Sequence, residues 1–325
     1  MFYIEFVFSL LLLFIGSQLL VNSSITISNK LQVNRLIIGL TIVSLATSLP
    51  EFFVTLQATS QGYFDFALGN IIGSNISNIS LVLGVTALIS PILISEKEIY
   101  LNYYPLIIIS TAFTVVLLCL KNIGITYGSI SLIILISFNI FLFKKAKDSL
   151  HNELIESDDM FVFLGYKFNI QNIFFVFIVL FTGSLVLWIG SKLLISSSTE
   201  IARAIGVSDR VIAISLVAIG TSLPELFASV YAAFKNETKL AIGNLLGSNI
   251  FNILAVVGAT TMLNSINIES NLNTDTVIMF LITVILFPLF YMRKTLTRNK
   301  NKLIIHKYEG IILITIYVIY IISIF

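Results

Sequence analysis

Apolar stretches close to the length that crosses a bilayer recur from one end of this chain to the other, and no other feature restricts its fold as strongly. They fall at Phe2–Ser24, Leu36–Ala58, Ala67–Ile94, Tyr100–Leu120, Ile125–Phe143, Ile173–Ser196, Val211–Phe234, Leu240–Ile266, Thr276–Met292 and Gly310–Phe325. About 20 apolar residues span the ~30 Å of a bilayer's hydrocarbon, where every backbone N–H and C=O must be paired internally, so each stretch reads as a helix. The expected fold is an all-α membrane protein with ten transmembrane helices. Only 11% of the residues are charged, against about 25% in a soluble domain. A net charge of +2 spread over 325 residues excludes a polyanion-binding surface. With Cys119 the single cysteine, an intrachain disulfide and a thiolate metal centre are excluded as well. The first stretch carries Glu5 instead of a basic start and shows no small-residue cleavage pattern before Asn22, so it reads as a retained helix.

The longest polar break, 144–172, holds Lys144, Lys145, Lys147, Asp148, Glu153, Glu156, Asp158 and Asp159. It divides the chain into a first five-helix repeat (1–143), a solvated cytoplasmic linker loop (144–172) and a second five-helix repeat (173–325). Shifting the sequence against itself by 174 residues aligns Gly16–Val85 with Gly190–Ala259 without a gap, and 28 of the 70 pairs are identical. Five is an odd number of crossings, so two such units enter the membrane from opposite sides. They are inverted repeats, the arrangement of many secondary transporters. Loops after odd-numbered spans hold 15 of the 19 Lys and Arg residues; by the positive-inside rule these loops are cytoplasmic and both termini lie outside a multi-pass protein of the plasma (cell) membrane.

Two charged residues lie well inside spans: Glu51 in the second and Glu225 in the seventh, at equivalent repeat positions. An intramembrane carboxylate points to function by default. Ser44, Thr47, Ser48, Glu51 and Thr55 form a polar stripe at helical spacing, and Thr221, Ser222, Glu225 and Ser229 repeat it with Ala218 in place of Ser44. Pro50 and Pro224 lack the N–H that would pair the carbonyls of Ala46 and Gly220, so backbone oxygens are released beside each carboxylate. In the third and eighth spans Asn70, Ser74 and Asn78, and likewise Asn244, Ser248 and Asn252, recur every fourth residue on one face. Taken singly, such hydroxyls also fit back-bonding to their own turn, and Asn70, Asn75, Asn244 and Asn249 also fit an interhelical hydrogen-bond ladder. Together they form a donor set of hard oxygens with no His or Cys, suited to Ca²⁺ or Na⁺ and not to Zn²⁺ or copper. His151 and His306 lie in polar loops and read as solvated.

The doubled motifs, Ala46–Glu51 with Gly69–Asn78 and Gly220–Glu225 with Gly243–Asn252, resemble the two alpha-repeats of the sodium/calcium exchanger family, prokaryotic type, within the cation/calcium antiporter superfamily. The resemblance implies a secondary antiporter exchanging Na⁺ for Ca²⁺ by alternating access, with the transported ions and no cofactor in its site, and three Na⁺ per Ca²⁺, hence net charge movement. It implies that Glu51 and Glu225 are the central carboxylates and that Thr47, Thr221, Ser74 and Ser248 are cation ligands. Ser48 and Ser222 match the motif hydroxyls, Asn78 and Asn252 a mid-site pair, and Ser44 and Ala218 positions that contribute a backbone carbonyl. Some family members carry Asp at the position of Asn252; with Asn at both places this chain has one titratable group fewer. Matching Gly16-Ser17 and Gly190-Ser191 in the first and sixth spans offer small surfaces on which a gate could slide. The residues alone also admit a proton-coupled cation antiporter, and, less readily, a cation channel. No nucleophile with a base lies in the spans, which argues against an enzyme.

Overall fold

A computed structural model describes residues 2–149, 161–170, 172–206, 220–268, 272–291 and 302–324. Ala218, His151, Glu153, Glu156, Asp158 and Asp159 lie outside them. The first half contains α1 (Phe2–Leu31), the bent pair α2 (Arg35–Thr47) and α3 (Leu49–Ser60), α4 (Phe64–Ile89), α5 (Glu96–Cys119) and α6 (Ile125–Ser149). The second contains α7 (Ile173–Ala204), α8 (Leu223–Phe234), α9 (Thr238–Leu263), α10 (Asn273–Tyr291) and α11 (Lys307–Ile324). Among the described residues seven helices are long and apolar enough to cross a membrane, with the bent pair as an eighth if it counts as one span. The expected seventh span is described only from Gly220 onward, where it becomes the 12-residue α8.

Short antiparallel ribbons tie the two halves together through their loops. β1 (Ile92–Ser95) pairs with β6 (Lys302–Ile305), and β2 (Asn122–Ile123) pairs with β5 (Ile266–Asn267). The first ribbon joins loops that follow the third and ninth expected spans, the second those that follow the fourth and eighth. Odd loops thus meet odd loops and even loops meet even ones, as a chain that alternates sides requires. Ion pairs agree: Arg35 meets Glu237, and Lys239 Nζ lies 2.9 Å from Glu98 Oε1, again between odd loops. Ser95 begins α5 as a capping box, its Oγ accepting from Glu98 N at 3.2 Å while Glu98 Oε2 accepts from Ser95 N at 2.8 Å. Part of the expected solvated linker is folded. β3 (Phe161–Phe163) and β4 (Tyr166–Phe168) form a hairpin with Phe161 buried. Asn22 of α1 donates to the Val162 carbonyl at 2.7 Å, and Gln18 Oε1 accepts from Leu164 N at 3.3 Å.

Burial separates a central pair of helices from a periphery. The apolar windows of α9 and α4 are 94% and 78% buried, against 17% for α6. Small residues permit this packing. A Cβ added at Gly243 would collide with the backbone carbonyl of Leu36, so α2 and α9 touch backbone to backbone there. Between α1 and α7 the same closeness recurs: a Cβ on Gly16 would lie 2.8 Å from Leu187 N, and one on Gly183 2.7 Å from Leu20 N. Ser17 and Ser191 bond back to their own helices, at 2.8 Å to the carbonyls of Phe14 and Leu187. Gly243→Ala forces α2 away from α9 and is expected to lower stability by about 1–3 kcal/mol, the usual cost of overpacking. Thermal unfolding of the detergent-purified protein measures the loss; an unchanged Tm would contradict the backbone contact.

Candidate functional site

Two buried helix breaks build the candidate site. Ser48 leaves helical geometry at φ −87°, ψ 7°, and the axes of α2 and α3 differ by 44°. Ser222 does the same at φ −85°, ψ 4°, immediately before α8. Pro50 and Pro224 lie in the first turns after these breaks, where the missing N–H costs nothing to the new helix. Each break therefore starts a fresh helix whose N-terminal dipole favours an anion, and Glu51 and Glu225 occupy those first turns. Both are 0% exposed.

Around the carboxylates several hydrogen bonds come in pairs related by the 174-residue shift, although Thr47 Oγ1 also donates to Asn244 Oδ1 at 3.0 Å. Asn78 Nδ2 donates to Asn249 Oδ1, and Asn252 Nδ2 donates to Asn75 Oδ1, both at 3.1 Å. Thr47 Oγ1 lies 3.4 Å from Ser248 Oγ, and Thr221 Oγ1 lies 3.1 Å from Ser74 Oγ. Asn70 Nδ2 donates to Thr55 Oγ1 at 3.1 Å, as Asn244 Nδ2 does to Ser229 Oγ at 3.3 Å. Asn78 and Asn252 each open a five-residue π-helical turn, Asn78–Val82 and Asn252–Val256, a distortion common at functional sites.

The pairing fails at the carboxylates themselves. Ser48 Oγ donates to Glu225 Oε1 at 3.0 Å, and Ser248 Oγ donates to the same oxygen at 3.4 Å. Both oxygens of Glu51, together with Ser222 Oγ, Glu225 Oε2, Asn78 Oδ1 and Asn252 Oδ1, are buried without a hydrogen-bond partner among the described residues. All but the Ser222 hydroxyl are acceptors only when the carboxylates are ionised. Buried polar atoms rarely stay unpaired, and a set of unpaired acceptors is what a bare cation satisfies. Among the described residues no cluster of three or more His, Cys, Asp or Glu forms; beside the two carboxylates the described donors are neutral oxygens.

Of the residues expected at the site, Glu51, Glu225, Thr47, Thr221, Ser48, Ser222, Ser74, Ser248, Asn78 and Asn252 come together as described. Ser44 is buried in α2; its carbonyl accepts from Ser48 N at 3.0 Å and its Oγ donates to Leu40 O at 2.8 Å. Ala218 lies outside the described residues. His306 is half-buried at the start of α11, where its backbone N–H donates to Glu309 Oε2 at 2.9 Å. The released carbonyl of Ala46 has a partner that the sequence did not reveal: Ser184 of α7 donates its hydroxyl to it. At the shifted position stands Leu10, which has no hydroxyl, so the internal repeat carries no sign of this contact.

The sequence profile of the sodium/calcium exchanger protein family matches residues 1–144 and 175–325. The chain belongs to the sodium/calcium exchanger family. It is 30% identical to an uncharacterized membrane protein of Methanocaldococcus jannaschii, over 98% of this chain and 96% of that one. To the sodium/calcium exchanger MaX1 of Methanosarcina acetivorans it is 27% identical, over 95% and 94%. Its fold matches a solved structure of the sodium-calcium exchanger NCX_Mj soaked with zero Na⁺ and Ca²⁺, with a TM-score of 0.79, 27% identity and coverage of 100% of this chain and 99% of that one. Another NCX_Mj structure, soaked with Na⁺ and Ca²⁺, matches with a TM-score of 0.78 at 28% identity, covering 99% and 98%. This exchanger is thus a multi-pass integral membrane protein of all-helical fold, a transporter and not an enzyme.

Ser184→Ala strands the buried Ala46 carbonyl and is expected to cost about 1–3 kcal/mol, the desolvation penalty of an unpaired acceptor. Ser184→Thr keeps the hydroxyl and is expected to lose less. Thermal melts of the two purified variants decide; equal losses would show that packing, not the hydrogen bond, matters at this position.

Proposed function

We propose that this chain is a Na⁺/Ca²⁺ antiporter whose two ions compete for one set of buried oxygens. The observation that carries the reading is the group of unpaired acceptors at Glu51, Glu225, Asn78 and Asn252, all inaccessible to solvent. Family membership supports the identity of the ions. Glu51 and Glu225 supply the charge, and Thr47, Thr221, Ser74, Ser248, Ser48, Ser222, Asn78 and Asn252 supply neutral oxygens, with backbone carbonyls at Ser44 and Ala218. Two carboxylates neutralise one Ca²⁺, which takes 6–8 oxygens at about 2.3–2.6 Å in flexible geometry. Several Na⁺ distribute over the same oxygens and exclude it.

Ten helices in two inverted five-helix repeats, 1–143 and 173–325 joined by 144–172, provide alternating access. The paired hydrogen bonds at the 174-residue shift and the odd-with-odd, even-with-even loop ribbons support this arrangement. The basic loops place the linker in the cytoplasm and both termini outside the cell membrane. The close α1–α7 contact supports these two helices as the sliding gate. A Na⁺ load of more than two charges per Ca²⁺ makes the exchange electrogenic, worth about 2.3 kcal/mol per net charge at 100 mV.

In proteoliposomes loaded with Na⁺, Ca²⁺ uptake is expected to follow the outward Na⁺ gradient and to cease in Glu51→Gln and in Glu225→Gln. Uptake that survives both substitutions would contradict the site. Uptake driven equally by a pH gradient without Na⁺ would favour the proton-coupled alternative. A K⁺ diffusion potential, inside positive, is expected to accelerate Na⁺-driven uptake by helping the excess positive charge to leave; an indifferent rate would contradict electrogenic exchange.

A further inference from the structure

The amides of Asn78 and Asn252 serve a cation with only one of their two ends. An Asn side chain turned over by half a rotation keeps its shape and aims N–H donors where its oxygen was. Hydrogen bonds decide which way each one is turned. Asn249 Nδ2 donates to the backbone carbonyl of Asn75 at 3.1 Å. A carbonyl only accepts, so this nitrogen must face it, and Asn249 Oδ1 is left facing Asn78. That oxygen only accepts too, so Asn78 presents Nδ2 to it at 3.1 Å, and Asn78 Oδ1 turns the other way, buried and unpaired. On the other half Asn75 Nδ2 donates to the thioether Sδ of Met279, in α10, at 3.7 Å. Asn75 Oδ1 then faces Asn252 and accepts its Nδ2 at 3.1 Å, which leaves Asn252 Oδ1 unpaired. These four amides are at most 1% exposed, so bulk water does not substitute for any of the partners.

We propose that Asn75, Asn249 and Met279 are positioning residues that fix the amides of Asn78 and Asn252 with their oxygens, not their N–H groups, toward the transported cation. This rests on the cation-binding reading above. The two locks are unequal. A peptide carbonyl holds Asn249, whereas a thioether, a weak acceptor, holds Asn75. Burial along α5 and α10 sets Leu106 opposite Met279 in the first half, and a leucine accepts no hydrogen bond, so the thioether lock has no counterpart there. Met279 reads in the sequence as one more apolar residue of a membrane helix, yet it decides the orientation of an amide one residue removed from it.

The test is ion-dependent thermal stabilisation of the detergent-purified protein, titrated with Ca²⁺ and separately with Na⁺, for wild type, Met279→Leu, Asn249→Ala and Glu51→Gln. Leu keeps the volume and apolarity of Met, so Met279→Leu is expected to fold with an ion-free Tm near wild type and a several-fold higher half-saturating ion concentration. Asn249→Ala is expected to raise half-saturation by about tenfold or more, the scale of losing a residue that orients a metal ligand. If these residues merely glue helices, both variants lower the ion-free Tm and leave half-saturation unchanged, which overturns the proposal. A rise in Asn249→Ala alone overturns the role of Met279. Should Asn249→Ala fail to fold, Met279→Leu decides by itself. Glu51→Gln separates the two readings: if it too leaves ion stabilisation intact, the cation site itself is wrong, whereas its loss beside unchanged Met279→Leu and Asn249→Ala refutes only the positioning.

Discussion

Two carboxylates with no solvent exposure, Glu51 and Glu225, lie in a protein that carries almost no other charge within its spans. Burying an ion away from water is costly unless something compensates it. Local backbone geometry gives partial compensation: each Glu occupies the first turn of a helix restarted at a proline break, where the dipole favours negative charge. Ser48 and Ser248 add hydrogen bonds to one oxygen of Glu225. Glu51 receives none among the described residues, and the remaining acceptors nearby are unpaired too. In the proposed exchange a cation supplies the remaining compensation: either ion relieves the burial cost, and neither leaves room for the other.

The rest of the fold encloses these breaks. Irregular backbone in hydrocarbon is tolerable only when protein surrounds it, and the central helices α4 and α9 provide that surround. Glycines at the α2–α9 contact bring the backbones together, and Ser184 takes the carbonyl that Pro50 leaves free. The site is nearly symmetric in its amides and hydroxyls but not in its carboxylates or in the anchors of Asn75 and Asn249. These differences make the contributions of the two halves to the candidate site unequal.

Much of this was legible in the sequence because the membrane makes charge placement so informative. Glu51 and Glu225 stand out, and the doubled motifs bring Thr47, Ser48, Ser74 and Asn78 with their counterparts into one place. The breaks at Ser48 and Ser222 follow from Pro50 and Pro224. Other features left no mark that sequence reasoning could use. Ser184 pairs with a backbone carbonyl across 138 residues and has no partner in the repeat. Met279 acts through a lone pair that hydropathy ignores. The hairpin over 161–168 lies in a charged break that reads as solvent-exposed, and only the contacts of Asn22 and Gln18 with it show that it packs on α1. Spacing alone left Asn75 and Asn249 between a ladder and a ligand set; in the structure their nitrogens are spent on anchors and their oxygens on neighbouring amides.

Competition at equilibrium tests the central claim most directly. Ca²⁺ binding to the purified exchanger should be measured by isothermal titration at a series of Na⁺ concentrations, with the ionic strength held constant by choline. If one set of oxygens serves both ions, the apparent Kd for Ca²⁺ rises with Na⁺ more steeply than first order while the number of Ca²⁺ bound at saturation stays the same. A Ca²⁺ affinity indifferent to Na⁺ would mean that the two ions occupy separate sites, and competition for shared oxygens could not be the basis of exchange.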